Sequence, residues 1–117
     1  MIDVNALRDE LAATVAAALG EGVRVVTDPR AVNPPVVLVG VPVTTVADVR
    51  TATLLFPVHL ITPGPGNDDA VRWQLGLLGP LLVGVRPIVD VRPGPYDTSE
   101  RTLPALTAIV SRVVVYC

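Results

Sequence analysis

RTATLLFPVHLITPGPGNDD, residues 50–69, reads as a long strand, a Pro/Gly turn and the capped start of a helix, and the rest of the chain is arranged around it. Successive side chains of a strand point to opposite sides, so Leu54, Phe56, Val58 and Leu60 share one face. Thr53, Leu55, Pro57, His59 and Ile61 share the other. The first face is wholly apolar and points at a core. Pro57 has no N–H to give a ladder, which predicts an edge position or a bulge. An edge is also where another subunit can add a strand.

Upstream, Val4, Leu7, Leu11, Val15 and Leu19 recur at three- and four-residue steps, which predicts a helix over Ile2 to Leu19. Asp3 or Asn5 can cap its start, and Gly20 and Gly22 end it. Val23 to Val26 is a short strand, and TDPRAVNPP, residues 27–35, is an irregular loop punctuated by proline. Val36 to Val43 is apolar on both faces, as in a strand covered on both sides or meeting a partner. Gly40 and Pro42 weaken its second half. Thr44 to Ala52 reads either as a loop or as the ends of a hairpin.

Downstream, Asn67 or Asp68 caps a second helix with two apolar stripes, Val71, Leu75, Leu78 and Leu82, and Trp73, Leu77 and Leu81. Two stripes imply burial over much of its circumference. Gly79 and Pro80 should kink or end it, since the proline ring meets the carbonyl of Gly76. Val85 to Arg92 alternates as a half-exposed strand, PGPYDTSER at 93–101 reads as a turn, and Leu103 to Tyr116 is a closing strand. Pro104 should keep the first residues of that strand out of the ladder. The expected fold class is α+β: a mostly antiparallel sheet of four to five strands with two helices packed on one face, in a single domain over 1–117.

Composition narrows the function classes. With 50% hydrophobic and 17% charged residues and a mean hydropathy of +0.56, the chain is unusually apolar. The uncharged runs 31–47 and 51–67 are broken by prolines, so neither resembles a membrane span of ~20 apolar residues. Contact with other subunits is the better account of the apolar surplus, against a compact Val-rich monomer. Net charge is −2 and the nine basic residues, all Arg, are scattered, so no nucleic-acid patch is expected. Asp3, Arg8, Asp9 and Glu10 interrupt the apolar run that a signal peptide would need. A single Cys, Cys117, permits no internal disulfide and fits a cytoplasmic origin.

No spacing points to catalysis, and no cofactor or metal is expected. The glycines of PGPGNDD fit neither the dinucleotide nor the P-loop pattern, and Asp68 and Asp69 repel an anion; they serve the helix dipole instead. His59 stands alone, with no second His or Cys for a metal and no nucleophile at motif spacing. It is better read as a contact residue on the strand. Cys117 has no neighbouring base or helix start to activate it.

The helix LRDELAATVAAALG at 7–20, VRVVTDPRAVNPPVVLVG at 23–40, the strand TLLFPVHLIT at 53–62, the Gly/Pro turn, NDDAVRWQLGLLGPLL at 67–82 and the closing strand after PGPY come in a telling succession. It resembles the tail terminator (tail completion) proteins of long-tailed, non-contractile bacteriophages. Pro57 and the Gly79–Pro80 pair depart from that pattern. The resemblance implies a non-enzymatic virion protein, made in the host cytoplasm, that forms a hexameric ring on the end of the tail tube. The ring ends tube polymerisation and joins the tail to the head side. Its implied partners are identical subunits, the tail tube protein and head–tail connector proteins, with no membrane and no sequence-specific nucleic acid.

A ring of identical subunits needs two different patches per chain. They are expected on the 27–35 loop and on the strands around Val36 and Pro57, with Asp28, Arg30, Val32, Asn33, Val36, Pro57 and His59 as contact residues. The alternatives are another neck or head-completion adaptor, a small ligand-binding domain or enzyme subunit using the glycine turn, and a host-side interaction module.

Overall fold

Strand β4 (Thr51–Ile61) is the spine of a six-stranded, mostly antiparallel sheet, and its alternation is realised as read. Ala52, Leu54, Phe56, Val58 and Leu60 are buried on one face, while Thr53, Leu55, Pro57 and His59 on the other are half-buried. The computed structural model describes residues 2–64 and 67–116; Pro65 and Gly66 of the glycine turn, and Cys117, lie outside the described residues.

The elements run α1 (Val4–Leu19), β1 (Val25–Val26), a 3-10 turn (Pro29–Ala31), β2 (Val36–Val39), β3 (Val43–Val46), β4, α2 (Asp68–Gly84), β5 (Ile88–Asp97) and β6 (Thr102–Val115). The sheet order is β1-β2-β4-β6-β5, with β3 paired to the other half of the β4 edge that carries β2. Among the described residues only β1 and β2 pair in parallel. The expected α+β class is present, with six strands instead of four to five because β3, from the stretch read as a loop or as hairpin ends, also joins the ladder.

Both helices cover the same face. Leu11 and Val15 of α1, and Leu81 of α2 with the adjoining Val85, meet Val37, Val39, Leu54, Phe56, Val58, Leu60, Leu106, Ala108 and Val110 in the main core. The helices themselves approach closely: a Cβ on Gly84 would lie 2.5 Å from the Cβ of Ala18. The side chain of Asp3 accepts the Ala6 N–H to cap α1, and Gly20 ends it with φ +87°. Asn67, not Asp68, caps α2 by accepting the Ala70 N–H at 3.0 Å.

Four local readings are corrected by the tertiary structure. Pro57 is not at an edge: β4 lies between β2/β3 and β6. Its missing N–H falls where β2 gives way to β3; there Gly40 donates to the Pro57 carbonyl at 2.8 Å and the chain then leaves the ladder through Val41 and Pro42. Helix α2 runs through Pro80, whose lost partner, the Gly76 carbonyl, belongs to an exposed stretch that water can serve. The expected turn at 93–101 begins later, since β5 continues to Asp97 and the chain turns where Thr98 N–H reaches Arg101 O at 2.8 Å. Pro104 is inside the ladder, opposite Pro95 in a pair that needs no N–H, with its carbonyl accepting from Thr62.

Candidate functional site

The sheet face away from the helices carries the first candidate surface. At one end it is closed by a small cluster of Val36, Leu38, Ile61, Leu103 and Ala105, against which Val26, Val32 and Tyr96 pack. Beyond that cluster the face is open. Val43, Leu55, Pro57, Val89 and Ile109 line a shallow groove of about 360 Å³, rimmed by Asp90 and Arg92, which pair with each other. The registers Val43–Leu55 and Pro57–Ile109 place these side chains across neighbouring strands, so the apolar floor is contiguous.

The groove merges into an arm made of β3, the first half of β4 and the end of β6. Val41, Val43, Val46, Val49, Val113 and Val115 are all exposed there, Val49 most of all at 79%. The arm tip is fastened by Asp48, whose carboxylate accepts from the N–H groups of Arg50 and Thr51 and from the Thr51 hydroxyl. These bonds hold the Asp48 carboxyl below the usual carboxylate range, the Arg50 N–H contributing most. Tyr116 adds a bond from its hydroxyl to the Asp48 carbonyl and one from its N–H to Arg50 O.

The second candidate surface is the outer side of α2. The inner side buries Ala70, Gln74 and Leu81, with Trp73 and Leu77 half-buried against the core. Val71, Leu75, Leu82 and Val83 face outward, Leu75 with 56% of its surface exposed. Of the two apolar stripes the core takes Trp73, Leu77 and Leu81, whereas Val71, Leu75 and Leu82 of the other stay exposed and only its Leu78 reaches the core, contrary to the expected burial around the helix. Gly76 and Gly79 lie on this exposed side with nothing within 4 Å of a built Cβ.

The sheet edges at β5 and β3 differ in chemistry. Thr98 N–H bonds Arg101 O, and Thr62 N–H bonds Pro104 O, so even-numbered residues of β5 turn their backbone groups to β6 and odd-numbered ones turn outward. The outward positions 93 and 95 are proline, and the Val91 N–H is taken by the carboxylate of Asp90 at 3.0 Å. The β5 edge thus presents three successive positions without a free donor. On β3, the Ala47 N–H to Thr51 O bond turns odd positions inward and leaves Thr44 and Val46 facing out with both groups.

The chain matches no family model, and no curated protein matches it.

The contact residues expected from sequence are distributed unevenly. Pro57 lies on the groove floor and His59 beside it on the same face. His59 Nδ1 is 2.7 Å from Thr107 Oγ1, its ring is tilted against Tyr96 at 5.1 Å, and burial pushes its pKa down. Val32 is a prop of the small cluster. Asp28 and Arg30 are exposed and bonded to each other; the Arg30 N–H chiefly, then its guanidinium, holds the Asp28 carboxyl low. Asn33 is exposed. Val36 is corrected: with 0% exposure it offers no surface to a partner, because both the sheet and the small cluster cover it.

Val43, Leu55, Val89 and Ile109 come from four strands, so no local spacing in the sequence marks them as a group. Among the described residues no three His, Cys, Asp or Glu side chains gather as a metal site requires, and no helix is long and apolar enough to cross a membrane.

Proposed function

We propose that this chain is a structural subunit that assembles into a closed ring, and that the ring caps a phage tail tube, ends its polymerisation and joins it to the head-side connector. The single observation that carries the assembly part is the pair of unlike apolar surfaces on opposite sides of one sheet. Copies related by rotation without a two-fold axis meet through two different patches, and such contacts close into a ring when the rotation allows. Burying exposed Val and Leu supplies the driving force, at about 25 cal/mol per Å² of apolar surface. The tail assignment comes from the resemblance of element layout to tail terminator proteins, with a hexamer as the expected ring. Virion localisation and partnership with tube and connector proteins belong to the same proposal.

Native mass spectrometry over a concentration series tests the ring, with a closed species near six copies expected. Tube capping is tested by adding the protein to polymerising tail tube protein and measuring tube lengths by electron microscopy. Unchanged lengths and no density at tube ends would reject the tail assignment while leaving any ring intact.

A further inference from the structure

The edge chemistry limits how copies of this chain can join. A ring held by strand addition needs two open edges per subunit, and only the β3 edge is open: β5 has no free donor at 91, 93 or 95 and β1 has only two residues. Contacts through faces are left. We infer that the exposed stripe of α2 docks into the helix-free groove of a second copy, an inference that rests on the self-assembly reading above.

The dimensions agree. The groove floor spans β3, β4, β6 and β5, three strand spacings or ~14 Å, which accommodates a helix ~10 Å across. From Val71 to Leu82 the stripe rises ~16 Å, about five residues of strand. The surfaces are also matched in charge, because the ions at their margins are already neutralised, Asp68 by Arg72 on the helix and Asp90 by Arg92 on the groove rim. Docking therefore strands no lone charge from these pairs.

Gly76 and Gly79 lower helix propensity and serve no packing within the chain, yet they leave low ground beside Leu75 and Val83 where a neighbouring sheet can come close. A docked helix would give the bare sheet face the cover that α1 and α2 give the other, making a three-layer arrangement. Since α2 and the groove lie on opposite sides of the sheet, each copy offers its helix to one neighbour and its groove to the next.

The test uses Leu75→Asp on the stripe and Val89→Asp on the groove, both at exposed positions, with Val43→Asp as a second groove variant. Thermal melts within a few degrees of the parent check folding. Each variant alone is expected to be monomeric by native mass spectrometry at concentrations where the parent is assembled. Mixed in equal amounts, Leu75→Asp and Val89→Asp should form a dimer and nothing larger, because one intact stripe meets one intact groove. If Leu75→Asp is monomeric while both groove variants assemble as the parent does, a helix-to-helix contact replaces this one, and the reverse pattern means groove to groove. If all variants keep the parent's assembly, the docking is overturned and the ring reading stands. A parent that stays monomeric at every concentration overturns both.

Discussion

Gly40 lies against Pro57: its N–H donates to the Pro57 carbonyl at 2.8 Å, and a Cβ built on it would stand 3.0 Å from the proline Cγ. The two residues form the seam at which β2 ends and β3 begins along one side of β4. The glycine keeps the ladder's last bond by leaving room for the ring, and the proline, having no N–H, releases the chain toward Val41. The seam thus produces the arm, since β3 resumes pairing further along β4.

Gly40→Ala therefore destabilises the fold by about 1–3 kcal/mol, the usual cost of forcing an extra carbon into a tight contact. Urea unfolding monitored by circular dichroism measures it. No change in midpoint would mean that the seam has slack.

Glycines in α2 separate into two kinds. Gly84→Ala places a carbon 2.5 Å from the Ala18 Cβ, between two helix backbones, and should cost about 1–3 kcal/mol. Gly76→Ala meets open space and should stabilise the monomer by about 0.5–1 kcal/mol through helix propensity, whereas at Gly79 the following Pro80 crowds an added Cβ in the helical conformation and should cancel that gain. Differential scanning calorimetry at a concentration where the protein is monomeric separates the two.

Stability depends on pH through His59, the sole histidine. Burial lowers its pKa from the ordinary 6.5, so on acidification the unfolded chain takes up the proton first. The stability of the neutral form is intact above pH 6.5 and is lost as pH falls from there toward the lower folded value. His59→Gln should flatten this part of a denaturation-midpoint profile. Asp28 and Asp48, held below 3.8, lose their contributions only at more acid pH.

Asp48→Ala removes three bonds at the turn of the arm. Hydrogen exchange at the Arg50 and Thr51 amides should speed up while amides of the β4–β6 core such as Val58 keep their protection. Equal acceleration in both places would show that the arm opens only with the whole fold.

Much of the fold was legible in the sequence, because period and capping are local. The buried face of β4, the α1 stripe with its Asp3 cap, the glycine end at Gly20 and the α+β class follow from side-chain spacing alone. Proline was the misleading residue. Whether a missing N–H matters depends on which way that position turns its backbone, and at Pro57, Pro93, Pro95 and Pro104 only the register decides. The same holds for the candidate surfaces. Spacing marked two apolar stripes on α2 but could not say which one the core would take. Val43, Leu55, Pro57, Val89 and Ile109 become one surface only when four strands align. Local spacing and composition are enough to mark the main helices and strands and to show that apolar surface is in excess. Where that excess lies follows only from the packed strands and helices, because burial is a property of neighbours that are distant in the chain.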